Sequence, residues 1–160
     1  MRVDPRMFRS VCGNFATGVA VVTSGTTSPV SGLTVNSFTS VSLDPPLILI
    51  CIQNESSELL ALKRTGAFAV NILAADQEDI CRAFASRHTR RLVEVDTREG
   101  ITGVPILSTA LAYLECRVER EVYAGDHVII IGEVLELAVQ RDDEPLAFFR
   151  NNYHQLLVSS

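Results

Sequence analysis

Residues 32–57 read GLTVNSFTSVSLDPPLILICIQNESS, and this segment carries much of the information about the fold. It predicts two β-strands, 32–42 and 47–52, with a corner at Pro45 and Pro46, because proline cannot donate to a strand ladder. The second strand is continuously apolar, which is typical of a strand covered on both faces. The first strand instead mixes apolar bulk with short polar side chains, namely Thr34, Asn36, Ser37, Thr39, Ser40 and Ser42.

The polar side chains of the first strand have two explanations. A buried hydroxyl without a partner would cost about 1–3 kcal/mol, so the strand is either a partly hydrated edge or the wall of a site for a flat polar ligand. Thr34, Asn36 and Ser37 are the candidates for contacting such a ligand. Beyond the second strand, Ser56 or Ser57 can cap a helix. A strand end, a polar turn and a helix N-terminus together favour anion binding, although ordinary capping explains the serines equally well.

Length and composition bound the class of protein. The 160 residues suit one domain with a sizeable core, and we expect a single domain over 1–160. A net charge of −5 disfavours nucleic acid as the main partner, since phosphate binding needs a basic face. No apolar run approaches the roughly 20 residues that span a bilayer, and the N-terminal segment lacks the apolar core of a signal peptide. We therefore expect a cytoplasmic protein that does not act at membranes.

The four cysteines, Cys12, Cys51, Cys81 and Cys116, stand far apart among apolar neighbours. This spacing favours buried, reduced thiols over a disulfide framework. A metal site is also disfavoured, because structural zinc needs closely spaced ligand pairs. We expect no bound metal.

The rest of the chain alternates short helical patterns with long strand patterns. Residues 110–123 alternate so that Cys116 falls on one face of a strand and Glu115 on the other. Gly132 interrupts the next strand and predicts a bulge or a close backbone approach. Long antiparallel strands and short hairpins predict a mostly β protein with short helices, closed or nearly closed into a barrel. The predicted helices are 5–15, 56–64 and 77–86, and the further strands are 19–23, 68–73, 110–123, 127–139 and 146–149, with 94–105 as loop.

Two further features carry candidate chemistry. The segment RHTRR at 87–91 is a local positive patch in an acidic chain. It is either a solvated helix end or a phosphate contact, for which guanidinium geometry is well suited. His127 follows Gly125 and Asp126 at the entrance of an apolar strand. It is either a structural residue or a group at the mouth of a barrel pocket that titrates near neutral pH beside Asp126.

The motifs of several enzyme classes are absent from the sequence. It contains no GxSxG elbow, P-loop or HExxH zinc motif. The GxGxxG fingerprint of dinucleotide-binding Rossmann folds is also missing, so a bound nucleotide would be held in another way.

Several longer segments together resemble the flavin reductase family, the small FMN-binding split-barrel proteins whose reduced flavin commonly feeds a partner monooxygenase. The resemblance covers nearly the whole chain in the right order and implies a split β-barrel of Greek-key-like topology. The matching segments are FATGVAVVT (15–23), GLTVNSFTSVSLDPPLILICI (32–52), Ser56 and Ser57, FAVNIL (68–73), GDHVIIIGEV (125–134) and PLAFFRNNYH (145–154).

The resemblance also implies where the flavin binds. Its ring would lie along the polar strand, its ribityl chain along the end of the apolar strand, and its phosphate between the helix start and the arginine-rich segment. Many relatives carry Asp-Arg-Phe where this chain has Arg90, Arg91 and Leu92, so it stays open which arginine reaches the phosphate. In order along the flavin, the implied contacts are Thr34, Asn36 and Ser37; Cys51, Ile52 and Gln53; Ser56 and Ser57; and Phe84, Arg87 and Arg91.

The implied activity is the reduction of FMN or FAD by hydride transfer from NADH or NADPH. His127 would border the nicotinamide, with Asp126 orienting the imidazole, and Tyr153 would approach the flavin from the same or the partner subunit. The resemblance implies a homodimer and a separate oxygenase component that receives reduced flavin. The alternatives are a flavin-binding split-barrel protein without reductase activity, a flavin-retaining oxidase with its own substrate, and a domain that binds no flavin. The Gly-Asp-His turn favours the reductase over the first two.

Overall fold

The computed structural model describes residues 2–25, 30–85 and 95–157. Within them the chain is mostly β with three short helices, as the sequence predicts. The helices are α1 (Pro5–Cys12), α2 (Ser57–Thr65) and α3 (Glu78–Ala85); the strands are β1 (Thr17–Gly18), β2 (Ala20–Ser24), β3 (Ser31–Val35), β4 (Thr39–Leu43), β5 (Pro46–Gln53), β6 (Ala67–Ile72), β7 (Thr97–Glu99), β8 (Pro105–Leu107), β9 (Ala112–Ala124), β10 (His127–Val139), β11 (Leu146–Phe149) and β12 (Asn152–Gln155).

Seven strands form one antiparallel sheet in the order β3-β2-β6-β9-β10-β5-β4. β3 and β4 are its outer strands, although only residues 36–38 separate them in the chain. Four residue steps span at most about 14 Å, whereas the outer strands of a flat seven-stranded sheet would lie about 29 Å apart. The sheet must therefore be rolled so that its edges come together, which is the geometry of a split barrel.

The predicted strand 32–42 is thus two strands on opposite edges of the sheet. Between these two strands, the Ser37 side chain takes the place of a backbone partner for Cys51 of β5. Its hydroxyl accepts a hydrogen bond from the Cys51 N–H (2.9 Å) and donates to the Cys51 carbonyl (3.1 Å). Local strand propensity continues through this segment, but the chain crosses there from one edge of the sheet to the other.

The barrel interior is filled by alternate residues of β5 and its neighbours. Ile48, Ile50 and Ile52 are buried and pack in one cluster with residues of β6 and β10. The opposite face of β5 is only half-buried, so the cover predicted on both faces of this strand is incomplete. At Gly132 an added Cβ would lie 2.6 Å from Phe68 Cζ, and the β9–β10 register shifts at the same point. The predicted bulge and the close approach are both present.

The predicted loop 94–105 contains β7 and ends at the start of β8, and this hairpin covers part of β9. Glu115 of β9 is fully buried beneath it. The Glu115 carboxylate accepts hydrogen bonds from the N–H groups of Ile101 (3.0 Å) and Thr102 (2.6 Å) and from the Thr102 hydroxyl. An added Cβ on Gly100 would lie 2.5 Å from Glu115 Oε2. The alternation in β9 predicts that the face with Glu115 is polar and exposed. In the structure the β7–β8 hairpin covers this face at Glu115.

The helix ends follow the predicted signals only in part. Ser56 caps α2 by accepting from the Glu58 N–H (3.3 Å), and Gly66 ends α2 with φ of 67°. Asp76 directly precedes the predicted helix 77–86 and is of a residue type that commonly caps helices, but it forms an ion pair with Arg141 (2.9 Å), and α3 begins at Glu78. A tertiary partner at the right distance has displaced a local capping preference.

Helix α1 buries none of its residues, so the prediction of a buried thiol is wrong for Cys12, which is exposed. Cys81 and Cys116 are buried as predicted, Cys51 is half-buried, and all four thiols are free. In the described ranges the helices are too short to cross a membrane.

Candidate functional site

A cleft of about 280 Å³ lies beside the link between β3 and β4. Residues from five separate parts of the chain meet there: the β3–β4 segment, the end of β5, the cap of α2, the end of α3 and the start of β10. Seven residues predicted from the sequence line it, namely Thr34, Asn36, Ser37, Cys51, Gln53, Ser56 and His127; Leu33, Val35 and Ala85 complete the lining. Leu33 and Val35 share the predicted polar strand, whereas nothing in the sequence indicates Ala85.

The wall formed by β3 and the following link is held by its own hydroxyl groups. Thr34 Oγ1 donates a 2.6 Å hydrogen bond to the Cys81 carbonyl of α3, and Ser37 is bonded to the Cys51 backbone. These two side chains therefore position the wall. Asn36 is exposed in the cleft, and its amide forms no hydrogen bond with any other residue of 2–25, 30–85 and 95–157. Of the three predicted polar contacts on this wall, Asn36 therefore has a side chain that can hydrogen-bond to a ligand.

The end of β5 supplies alternate residues to the cleft. Cys51 and Gln53 line it, whereas the side chain of Ile52 between them is buried in the barrel interior. Burial raises the pKa of the Cys51 thiol, so this group stays protonated and neutral beside the cleft. Ile52 can contribute its backbone alone.

His127 stands at the rim of the cleft, opposite Gln53 in the β5–β10 ladder. Its Nδ1 is 2.7 Å from Asp126 Oδ1, and this hydrogen bond lowers the pKa of the Asp126 carboxyl. The turn is fixed from the other side by Asn54, whose N–H and Nδ2 donate to the carbonyls of Asp126 and Gly125 (both 3.0 Å). The imidazole is therefore held at the start of β10 by its neighbours in sequence and by the loop after β5.

The N-terminus of α2 adjoins the cleft. Ser56 lines the cleft as the cap residue, and Ser57, the first residue of the helix, is exposed. The nearby Glu58 carboxylate is bound by the Ser31 hydroxyl (2.6 Å). A helix N-terminus carries free N–H groups and a partial positive charge, so this corner of the cleft suits an anion.

Phe84 and Tyr153 do not line the cleft but pack behind its wall, in the cluster under α3. An added Cβ on Gly32 would lie 2.9 Å from Phe84 Cδ1. The Tyr153 ring lies under the Arg82 guanidinium at 4.8 Å. Burial, together with a hydrogen bond to Cys81, raises the pKa of Tyr153 to about 12. The other two predicted flavin contacts, Arg87 and Arg91, lie outside the described residues.

Comparisons with known proteins give the family. Residues 12–157 match the family described as flavin reductase like domain. The chain is 46% identical over 145 residues to the FMN reductase (NADH) SmoA of Agrobacterium fabrum (strain C58 / ATCC 33970), covering 91% of this chain and 82% of SmoA. It is 38% identical over 151 residues to HsaB, the reductase subunit of a flavin-dependent monooxygenase of Rhodococcus jostii (strain RHA1), covering 94% of this chain and 77% of HsaB.

A solved structure with the same fold carries both ligand types. It is the Streptomyces globisporus C-1027 NADH:FAD oxidoreductase SgcE6 in complex with NAD and FAD fragments, with a TM-score of 0.89, 39% identity, and coverage of 98% of this chain and 97% of that chain. The family and the split-barrel fold implied by the sequence motifs are thereby confirmed. This chain belongs to the family of flavin reductase like domains.

Proposed function

We propose that the protein is an NAD(P)H:flavin oxidoreductase that reduces FMN or FAD and supplies reduced flavin to a partner monooxygenase. The observation that carries this proposal is His127, which Asp126 holds at the rim of a polar cleft large enough to take part of a flat ligand. The relatives support the same chemistry, since SmoA is an NADH-dependent FMN reductase and SgcE6 an NADH:FAD oxidoreductase.

The residues of the cleft fit a flavin. Asn36 offers an amide to the polar edge of the ring, and the neutral Cys51 thiol places no negative charge beside it. Ser56 and Ser57 lie at a helix N-terminus, where a flavin phosphate gains from free N–H groups and the helix dipole. Phe84 and Tyr153 then act from behind the wall, by fixing α3 against β3, rather than by touching the ring.

The chain's own residues orient the reactants and need supply no covalent intermediate. When bound, a flavin supplies N5 as the acceptor for the hydride on C4 of the nicotinamide. With His127 Nδ1 turned to Asp126, Nε2 is the ring nitrogen left to contact the dinucleotide. His127 therefore aligns the nicotinamide, and the described wall residues keep the flavin in one orientation, so that both rings are held face to face.

Steady-state oxidation of NADH and NADPH with FMN, FAD and riboflavin in turn tests this function. We expect flavin-dependent oxidation of a nicotinamide dinucleotide by the parent protein. A flavin-binding protein without reductase activity would bind FMN but leave the rate of NADH oxidation at its enzyme-free level. A flavin-retaining oxidase would purify yellow and convert its own substrate without a second component.

The same assay probes the phosphate corner when it is repeated with Ser57→Ala. A charge-assisted contact contributes about 1.5–3 kcal/mol, so FMN should bind about tenfold or more tightly than riboflavin, which lacks the phosphate. Ser57→Ala should raise the KM for FMN and leave that for riboflavin nearly unchanged. Equal binding of FMN and riboflavin by the parent would place the phosphate elsewhere.

We also propose that the protein is a homodimer. The apolar side of α1 faces solvent: Met7, Phe8 and Val11 are 62%, 61% and 64% exposed. Leu43 on the edge strand β4 is 96% exposed, and the outer face of β5 is half-buried. Exposed apolar side chains of this size mark protein interfaces, and a second copy would cover them and deepen the open cleft.

Light scattering should give twice the chain mass of 17.5 kDa at micromolar concentration. Phe8→Asp combined with Val11→Asp should shift the protein toward a monomer, because a charge buried in an interface without a partner is costly. Leu60→Asp, on the exposed side of α2, is the matched control. A fully active monomer at micromolar concentration would contradict the dimer.

The oxygenase component and the compartment are further parts of this proposal. HsaB is the reductase subunit of a flavin-dependent monooxygenase, and we propose that this chain likewise serves a separate oxygenase. We place it in the cytoplasm because its four cysteines are free thiols, which is typical of a reducing compartment. Cell fractionation tests the location.

A further inference from the structure

A second cleft, of about 610 Å³, lies between α1 and the turn that joins β11 to β12. Along α1 its lining follows helical spacing, so one face of the helix points into it. We call it the arginine cleft, after three of its lining residues. It is lined by Arg6, Arg9, Ser10, Gly13, Asn14, Arg150 and Asn151.

The two sides of the arginine cleft are joined by specific contacts. The Arg150 N–H donates to the Gly13 carbonyl (3.0 Å), and Arg150 Nε and Nη2 donate to Asn14 Oδ1 (2.9 and 2.7 Å). Arg150 and Asn151 have φ of 49° and 63°, a pair of left-handed residues typical of a tight hairpin turn. These contacts hold the two sides of the cleft together. Part of the hydrogen-bonding capacity of the Arg150 guanidinium thus serves to fix α1.

Among the residues that line the arginine cleft, none carries a charge that opposes the arginines. No carboxylate lines it, and neither Arg6 nor Arg9 forms an ion pair with another residue in the described ranges, whereas Arg82 and Arg141 do. Arg6 and Arg9 are both exposed, so their guanidinium groups are accessible to a ligand. Guanidinium is the side-chain group best matched to phosphate oxygens.

Arg9 of the arginine cleft lies within electrostatic reach of the turn that carries His127. The pKa of Asp126 is lowered first by its hydrogen bond to His127 and, more weakly, by the charge of Arg9. The positive end of the cleft thus lies on the side of the molecule where the nicotinamide is proposed to bind.

We propose that the arginine cleft binds the diphosphate of an adenine dinucleotide through Arg6 and Arg9. This inference rests on the proposed function, and two ligands share its chemistry, since both NADH and FAD carry an adenosine diphosphate half. Arg6 and Arg9 lie three residues apart on one face of α1 and so present their guanidinium groups together. The contacts with Arg150 form the floor that keeps α1 in place.

Calorimetric titration of ADP into the FMN-saturated protein tests the site without turnover, because ADP carries the diphosphate and FMN fills its own phosphate corner. The combined variant Arg6→Gln, Arg9→Gln should bind ADP about tenfold or more weakly than the parent. The control Arg64→Gln, Arg117→Gln changes the net charge equally at exposed positions outside both clefts and should bind ADP like the parent. Adenosine should bind all three proteins equally.

Two kinetic arms identify the source of the diphosphate. If NADH is the ligand, the variant raises the KM for NADH with FMN as acceptor; if FAD is the ligand, it raises the KM for FAD but not for FMN. Unchanged ADP binding in the Arg6→Gln, Arg9→Gln variant, in a parent that reduces FMN with NADH, would overturn the arginine cleft and leave the reductase assignment standing. A parent that binds ADP through these arginines but reduces no flavin would support the site and contradict the proposed function.

Discussion

Replacing His127 by alanine should slow hydride transfer by roughly tens- to hundreds-fold and raise the KM for NADH, while the Kd for FMN changes little. The reason is the position of the imidazole, which stands at the rim of the cleft rather than along its polar wall. Loss of alignment costs part of the rate and not all of it, because the hydride passes directly between the two rings. Asp126→Asn should be milder, since an amide still accepts the hydrogen bond from Nδ1.

Stopped-flow traces of flavin bleaching under anaerobic conditions measure this step separately from product release. His154→Ala is the matched control, because His154 is exposed on β12 and lines neither cleft. Its rate should equal that of the parent. If the His127→Ala protein reduces FMN as fast as the parent at every NADH concentration, His127 is structural and the nicotinamide binds elsewhere.

Replacing Glu115 by leucine should lower the free energy of unfolding by about 2–4 kcal/mol. The leucine removes the acceptor of two backbone N–H groups, those of Ile101 and Thr102, and each unpaired donor costs about 1–3 kcal/mol. The branched side chain also fits poorly beneath Gly100, whose backbone lies against the carboxylate. The loss of stability should appear first as local unfolding of the β7–β8 hairpin.

Denaturant unfolding of the flavin-free protein checks this value at fixed protein concentration. Glu119→Leu is the control on the same strand, because Glu119 is exposed and bonded only to its neighbour Arg120 among the described residues. It should change the free energy of unfolding by less than about 0.5 kcal/mol. Equal effects of the two substitutions would show that the buried carboxylate has no special role.

The parts of the fold that depend on near neighbours in sequence could be predicted without coordinates. Ser56 caps α2 and Gly66 ends it, since both signals act within a few residues. β10 begins at His127 after the Gly125 turn, and Gly132 marks its irregularity. Most polar residues of the candidate cleft could be predicted for the same reason. Polar side chains within a β-strand pattern are unusual and can be recognised from the neighbouring residues alone.

Pairings across the chain could not be predicted in this way. The break between β3 and β4 arises because the sheet rolls and its two edges are joined by residues 36–38. The hydroxyls of Thr34 and Ser37 donate hydrogen bonds to the carbonyls of Cys81 and Cys51, which are near them only in the folded chain. The strand pattern itself carries no information about these partners.

The family, the β-rich architecture and most residues of the cleft could be predicted from the sequence, because they follow from residue types in a fixed local order. The folded structure was needed to show that Glu115 is buried, that Phe84 and Tyr153 pack behind the wall, and that Arg6 and Arg9 line one cleft with Arg150. Each of these facts joins residues far apart in the chain. Burial and charge at such places depend on which elements pack together, and that is settled by the free energy of the whole fold rather than by any one segment.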